Sequence, residues 1–190
     1  MLLTSADALR VGGSTVARAY VGAAQAWPPT GTVTTYLFPS DAAGRPAAPT
    51  QYQDSNAGMT IGTLFACSQA GTTATAIDAF IPYGVTMAPR LYELSGALLA
   101  SGPAVTSTAD GWYRLPLGSP YALGTAVDYV AATYQTGSEK YAAASGTFPA
   151  TVGPLYTQDA TSGIYAYGVD AAPTVTSAAW FCIDVVAEAA

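Results

Sequence analysis

Short β-prone runs separated by turn residues organise this sequence, and the stretch from Leu91 to Tyr134 shows them most clearly. Its runs end at pairs such as Ser95-Gly96, Gly102-Pro103 and Asp110-Gly111. This pattern is typical of antiparallel strands joined by tight turns. Since no run in the stretch is long enough for a helix, the sequence predicts an all-β protein.

Alternation of side chains strengthens this prediction, because successive residues of a strand point to opposite faces of the sheet. In the run Trp112–Leu117, one face receives Tyr113, Leu115 and Leu117. The run Ala178–Ala187 is the most strand-like of all, and we expect it to be the last strand. Its predicted core side carries Phe181, Ile183 and Val185, and its other side carries Trp180, Cys182, Asp184 and Val186.

The composition limits the classes of partner. A chain of 190 residues can hold one main core and an appendage. Charged residues make up 9%, against roughly 25% in an average domain. The net charge of −6 leaves no basic stripe for nucleic acid. No run approaches the roughly 18 apolar residues of a membrane span. We therefore expect neither nucleic acid nor membrane as a partner.

Catalytic motifs are missing from the sequence. The chain has no histidine, which removes the usual general base and every Ser-His-Asp or Cys-His arrangement. Glycoside hydrolysis needs only two carboxylates, but Glu139 and Glu188 read as surface charges and Glu93 as an exposed strand residue. We expect no enzyme and no cofactor. A structural calcium ion stays an open alternative, with no residue to name for it.

Two cysteines, Cys67 and Cys182, leave two alternatives. They fall in the first and last long predicted strands of the main domain, which often pair in a sandwich, so a disulfide is conceivable. The other interpretation is two free, buried thiols that pack as small hydrophobic groups, since the cytosol in which such a chain folds is reducing. We favour the free thiols.

The N-terminal part has a different character from the rest. Residues 8–27 predict three short strands, divided at Gly12-Gly13 and Gly22-Ala23, which form a small β-meander. We therefore divide the chain into an arm (1–27), a Pro/Gly/Thr linker (28–35) and a main domain (36–190). The N-terminus lacks the features of a secretory signal peptide, so we expect any release from the cell to use another route, such as lysis.

The arm resembles the leader of minor tail proteins and accessory virion proteins of actinobacterial phages. The shared elements are Leu9-Arg10-Val11-Gly12, Tyr20-Val21-Gly22 and Trp27-Pro28. The resemblance implies attachment to the phage particle through Leu9, Arg10, Val11, Tyr20, Val21 and Trp27. The alternative is an N-terminal hairpin that only caps the main domain.

The main domain resembles a β-sandwich domain of unknown function that recurs in extracellular bacterial proteins. The elements that match, in order, include Leu37-Phe38-Pro39, Gly62–Phe65, Arg90-Leu91-Tyr92, Asp110-Gly111-Trp112 and Asp128-Tyr129-Val130. The resemblance extends from Tyr36 to Ala187. It implies a jelly-roll-like sandwich of two antiparallel sheets.

Thirteen tyrosines are the one positive signal in the composition. A tyrosine offers a flat apolar ring for stacking and a hydroxyl for hydrogen bonding, and it is enriched where proteins meet partners. Long loops on a rigid sandwich normally carry the binding surface. We expect a surface that faces a glycan or another partner to contain Tyr134, Tyr141, Tyr156, Tyr165 and Tyr167.

Together these features favour a non-enzymatic virion protein that assembles in the host cytoplasm, docks on other virion proteins through its arm and displays a sandwich for attachment to host glycans. Many weak contacts on one particle would combine into firm attachment. One alternative is a capsid decoration protein. Another is a bacterial carbohydrate-binding module, which a signal peptide or an attached catalytic domain would mark. A homo-oligomer is expected by analogy with phage appendages.

Overall fold

The computed structural model describes residues 10–11, 14–15, 19–21, 24–27, 33–38, 45, 48–54, 58–137, 140–145 and 148–189. All regular structure in these residues is β-strand, so the predicted all-β class is confirmed. No helix long and apolar enough to cross a membrane occurs among them. The chain divides into two compact units, Met1–Val33 with Ala190 and Thr34–Ala189.

The strands of the first unit and its border are β1 (Arg10–Val11), β2 (Ser14–Thr15), β3 (Ala19–Val21), β4 (Ala24–Trp27) and β5 (Val33–Tyr36). Those that follow are β6 (Thr50–Gln53), β7 (Met59–Cys67), β8 (Thr73–Ile81), β9 (Thr86–Glu93), β10 (Leu98–Ser101), β11 (Val105–Thr106), β12 (Gly111–Ala122) and β13 (Asp128–Gln135). The last six are β14 (Lys140–Ala143), β15 (Thr151–Val152), β16 (Leu155–Tyr156), β17 (Gly163–Tyr167), β18 (Val175–Ser177) and β19 (Ile183–Ala189).

The first unit contains two separate antiparallel pairs. Strand β1 pairs with β2 and β3 pairs with β4. The predicted middle strand contains β2 and β3, and residues 16–18 between them lie outside the described residues. Five of the predicted attachment residues lie in these strands, and Leu9 lies outside the described residues. The five are Arg10, Val11, Tyr20, Val21 and Trp27.

The second unit contains two main sheets. The larger has nine strands, with the central order β10-β9-β13-β7-β16-β15, and β17 also pairs with β7. The smaller has the order β12-β8-β19-β5. A separate two-stranded sheet joins β6 to β14. The registers described within these sheets are antiparallel. The predicted antiparallel sandwich is therefore confirmed.

The main core fills the space between the two sheets. The larger sheet contributes alternate residues of β7, including Met59, Ile61 and Phe65, and the smaller sheet contributes residues such as Ile77 and Leu115. Alternation places every second strand residue on the core side. The predicted core positions Leu115 and Leu117 of β12 are buried.

The last strand differs from its prediction. It begins at Ile183 rather than Ala178, because Cys182 has a positive φ of 54° and turns the chain just before the strand. Residues on both sides are buried, since Asp184 and Val186 are as inaccessible as Ile183 and Val185. The predicted core side is confirmed, because Phe181, Ile183 and Val185 belong to the main core, and the opposite side of the strand is covered as well.

Both cysteines are free and buried, so the interpretation as packed thiols is confirmed. Cys67 ends β7, and Cys182 precedes β19. Burial raises the pKa of the Cys182 thiol to about 12, which keeps it protonated and unreactive at neutral pH.

A row of charges crosses the outer face of the smaller sheet, on the side away from the main core. Asp184 of β19 lies directly opposite Asp78 of β8, which lies opposite Arg114 of β12. Arg45 bridges the two aspartates, with its Nη1 3.0 Å from Asp78 Oδ2 and its Nη2 2.6 Å from Asp184 Oδ2. Nε of Arg114 donates to Asp78 Oδ1 at 3.0 Å. We call these four residues the charge row.

The charge row fixes the segment that enters the main domain. The backbone N–H groups of Leu37 and Phe38 donate to the two oxygens of Asp184, at 3.0 and 2.9 Å. The predicted linker, residues 28–35, therefore needs a correction: its last residues belong to β5, which lies beside β19 in the smaller sheet. The side chains of Arg45, Asp78 and Asp184 are 5%, 6% and 0% exposed, so this row has a structural role.

We expect Asp184→Ala to lower the free energy of unfolding by about 3–5 kcal/mol, because the change leaves Arg45 with one buried partner and two backbone N–H groups with none. Asp170→Ala is the matched control. It removes a partly exposed partner of Arg90 and should cost less than about 1 kcal/mol. Urea unfolding of the three proteins measures the difference. Equal losses in both variants would contradict the structural role of the charge row.

The pH dependence of stability provides a second prediction. Burial raises the pKa of Asp184 to about 6, although Arg45 and the N–H groups of Phe38 and Leu37 act to lower it. An aspartate in the unfolded chain has a pKa of about 3.9. Between these values the folded protein retains a proton that the unfolded chain has released. The free energy of unfolding should therefore fall as the pH rises from about 4 to about 6, by up to about 3 kcal/mol.

Urea unfolding across this range measures the slope, and carboxyl ¹³C NMR of the unmodified protein measures the titration of Asp184 itself. The pKa values of Asp110 and Asp159 are lowered from the ordinary value of an aspartate. These two carboxylates therefore affect stability below about pH 4 and do not change the slope between about pH 4 and about pH 6. A carboxyl signal for Asp184 that titrates below about pH 4 would contradict the prediction.

Candidate functional site: a tyrosine groove

An open groove lies where the larger sheet meets the two-stranded sheet of β6 and β14. Its volume is about 400 Å³. Four of its lining residues are tyrosines, namely Tyr52, Tyr141, Tyr165 and Tyr167. Met59, Ile61 and Phe181 supply apolar surface, and Thr50, Ser145 and Ser177 supply hydroxyl groups. We call this site the tyrosine groove.

Strand β17 brings two of the tyrosines to the groove. Tyr165 and Tyr167 are two residues apart and therefore share one face of the sheet. They lie opposite Ile61 and Met59 of β7, which also line the groove. Gly163 starts the strand in a place where a Cβ atom would lie 1.8 Å from the carbonyl oxygen of Ala179. A glycine is required for this close approach.

The small sheet supplies the other two tyrosines as a cross-strand pair. Tyr52 of β6 lies directly opposite Tyr141 of β14. Their rings stack with centroids 5.5 Å apart and an angle of 19° between the planes. Tyr52 is 47% exposed, so its ring remains accessible to a ligand. Aromatic pairs in such geometry are mutually stabilising.

Ring contacts continue from this pair across the groove. Phe181 packs edge-on against Tyr141 at 5.9 Å and against Tyr165 at 5.7 Å. Tyr165 in turn packs edge-on against Tyr167 at 5.4 Å. Neighbouring rings restrict one another, so the aromatic surface is held in place before any ligand arrives. Such preorganisation lowers the entropic cost of binding.

A carboxylate lies beside the aromatic surface. Asp54, which follows β6, accepts a hydrogen bond from the hydroxyl of Tyr167, and this bond is the main reason why the pKa of Tyr167 rises to about 12. The pKa of Tyr141 is raised chiefly by burial and secondly by the negative charge of Asp54. Asp54 therefore acts on two of the four tyrosines, and both keep their protons at neutral pH.

The structure brings together three of the five tyrosines predicted for the binding surface, Tyr141, Tyr165 and Tyr167. The other two lie elsewhere. Tyr134 is opposite Thr60, and Tyr156 is opposite Ala66. These positions of β7 alternate with Met59 and Ile61, so both side chains belong to the outer face of the larger sheet.

Sequence reasoning missed Tyr52 and Asp54. Both follow a Pro-containing stretch that reads as a loop, and the strand β6 has only four residues. The available signal was the alternation of Thr50-Gln51-Tyr52-Gln53, with β-prone residues at every second position. The partner strand β14 lies almost ninety residues later, so the pairing that joins Tyr52 to Tyr141 is not visible in local sequence.

A second depression, of about 390 Å³, lies near Glu93 and Asp128. Asp128 Oδ1 accepts a hydrogen bond from the side chain of Gln158. Among the described residues, no group of three or more His, Cys, Asp or Glu side chains is placed to hold a metal ion. The tyrosine groove is thus the site with the more distinctive chemistry.

The fold and the groove define the class of this protein: an antiparallel β-sandwich domain with an aromatic surface groove. Residues 45–181 match the model of a family described as a domain of unknown function, DUF4082. The match spans well over half of the chain, and the protein belongs to this family. The predicted resemblance to a sandwich domain of unknown function is therefore confirmed at the level of the domain.

Two solved structures have a similar fold. One is a clostridial cysteine protease, Cwp84, after propeptide cleavage, with a TM-score of 0.52 and 9% identity over 74% of this chain. The other contains the cysteine protease and lectin-like domains of Cwp84, a surface layer associated protein of Clostridium difficile, with a TM-score of 0.50 and 9% identity over 70% of this chain. The matches span 38% and 32% of those chains. No curated protein sequence matches this chain.

Proposed function

We propose that this protein is a non-enzymatic attachment protein that binds glycans in the tyrosine groove. The observation that carries the proposal is the convergence of four tyrosines from three strands on one open groove. An aromatic ring can stack on the apolar face of a sugar while hydroxyl and carboxylate groups take its hydrogen bonds. The lining of the tyrosine groove offers aromatic rings and hydroxyl groups, and the carboxylate of Asp54 is hydrogen-bonded to Tyr167.

The size of the groove suits this ligand class. Small-molecule sites in proteins have volumes of about 300–1,000 Å³, and the tyrosine groove, at about 400 Å³, lies near the lower end. It would hold one or two sugar rings. The likeness of fold to a protein that carries a lectin-like domain supports the same proposal.

We further propose that the protein is part of a phage particle, docked through residues 1–27 and repeated as a homo-oligomer. The sequence elements of the arm support the proposal that the protein belongs to a phage particle. The family and the similar structures add no support for it. Repetition on one particle would convert weak sugar contacts into firm attachment. A capsid decoration protein is the alternative on the same particle.

A bacterial carbohydrate-binding module is the second candidate function. The observation that favours it is the similarity to a surface layer associated protein of a bacterium. In that case the tyrosine groove would serve the same chemistry on a bacterial surface, and residues 1–27 would have another role. The glycan proposal is therefore independent of the location of the protein.

Substitutions in the groove test the glycan proposal. We expect Tyr52→Ala and Tyr167→Ala each to weaken binding to an immobilised glycan panel by about tenfold, since each removes an exposed stacking surface. Tyr83→Ala is the matched control, because Tyr83 is 67% exposed and does not line the groove. Circular dichroism should show all three variants folded. The proposal would be contradicted if only the Tyr83 variant lost binding, or if all three variants bound the glycans as tightly as the unmodified protein.

Immunogold electron microscopy with an antibody against residues 36–190 tests the location. We expect label on purified phage particles, at the tail tip for an attachment protein and over the head for a decoration protein. Deletion of residues 1–27 should remove the label from particles while the protein remains in the lysate. Unlabelled particles would contradict the proposal of a virion protein and favour the bacterial module.

A further inference from the structure

The chemistry of the tyrosine groove restricts the class of sugar that it could take. All of the described residues that line it are uncharged, and its polar groups are hydroxyls. An acidic sugar would lose water from its carboxylate on entering the groove and would find no cation in return. Such desolvation without a partner is strongly unfavourable. The lining alone therefore favours a ligand without negative charge.

The described basic side chains of the main domain are directed elsewhere. Arg45 and Arg114 belong to the charge row, and Arg90 pairs with Asp170. Lys140 precedes Tyr141 in β14, so alternation points its side chain away from the groove. In agreement with this, the charge of Lys140 acts on Asp110, outside the groove. Within residues 33–189 as described, no basic side chain is thus left to receive an anion in the groove.

Asp54 adds a negative charge to this surface. Asp54 directly follows β6, the strand that pairs Tyr52 with Tyr141. Its carboxylate accepts the hydrogen bond from Tyr167, and its charge acts on Tyr141. A carboxylate accepts hydrogen bonds and donates none. It therefore favours a ligand that presents hydroxyl donors and repels one that presents a second carboxylate.

We propose that the tyrosine groove binds neutral pyranose sugars and excludes acidic ones, and that Asp54 determines this specificity. The inference rests on the proposed glycan function and names the class of sugar for it. Two unit charges about 6 Å apart at a protein surface repel strongly enough to change affinity by about tenfold. Asp54 is a specificity-determining residue in this view, while the tyrosines provide most of the contact.

Matched sugar pairs test the inference. The probes are methyl glycosides of glucose, galactose and mannose, and the corresponding methyl uronides, in which a carboxylate replaces the primary alcohol. NMR titration measures affinity even when binding is weak. We expect the unmodified protein to bind at least one neutral glycoside about tenfold more tightly than its uronide partner.

The variant Asp54→Asn should reduce this preference about fivefold, because the amide removes the charge but retains an oxygen that can accept from Tyr167. Affinity for the neutral glycoside should also fall, because an amide accepts hydrogen bonds from ligand hydroxyls less strongly, and the ratio of the two affinities therefore reports on the charge. Asp159→Asn is the control, since it removes one charge from an exposed residue outside the groove and should leave the preference unchanged. The comparison separates the local charge from the net charge of the protein.

Three outcomes would overturn the inference, and they differ in their meaning. Equal or tighter binding of the uronides would reject the exclusion of acidic sugars and leave the glycan function standing. An unchanged preference in Asp54→Asn would reject the role of Asp54. No binding of any probe would count against both the inference and the glycan function.

Discussion

Two aspartates placed directly opposite each other in the smaller sheet impose the constraint on which the rest of the main domain depends. Like charges in this arrangement destabilise a sheet, and burial of Asp184 makes the arrangement more costly. Arg45 offsets the repulsion, because one guanidinium contacts both carboxylates, and Arg114 neutralises Asp78 from the other side. Arg45 therefore stabilises the pairing of β8 with β19, and Arg114 stabilises the pairing of β8 with β12.

This arrangement links the start of the domain to the tyrosine groove. Phe38 packs against Trp180, with ring centroids 4.1 Å apart, and Arg45 lies over the ring of Trp112 at 4.7 Å. The chain then reaches β6 a few residues later, and β6 pairs with β14 beside the larger sheet. Burial of Arg45 thus fixes the entry point of the strand that carries Tyr52. The charge row supports the tyrosine groove without contributing a side chain to it.

The sequence alone could predict the features that depend on local pattern. The all-β class follows from turn residues and alternation with period two, and the antiparallel sandwich was implied by the resemblance of the main domain to a sandwich family. Features that depend on distant pairing could not be found in this way. Asp184 reads as a charge on the solvent side of a final strand, and only its pairing with Asp78 and Arg45 shows why it is buried. Tyr52 was missed for the same reason, since its partner Tyr141 lies far along the chain.

The scarcity of charge explains why recognition by this protein would depend on tyrosine. The three arginines of the described main domain are used in ion pairs that hold the fold together or join a loop to the larger sheet. None is left to attract an anionic ligand, and the net charge of −6 would repel one. A surface of this kind can bind through ring stacking and hydroxyl contacts, which are individually weak and depend on shape. Such contacts suit a ligand that is uncharged, rich in hydroxyl groups and present in many copies, because only repetition makes weak binding firm.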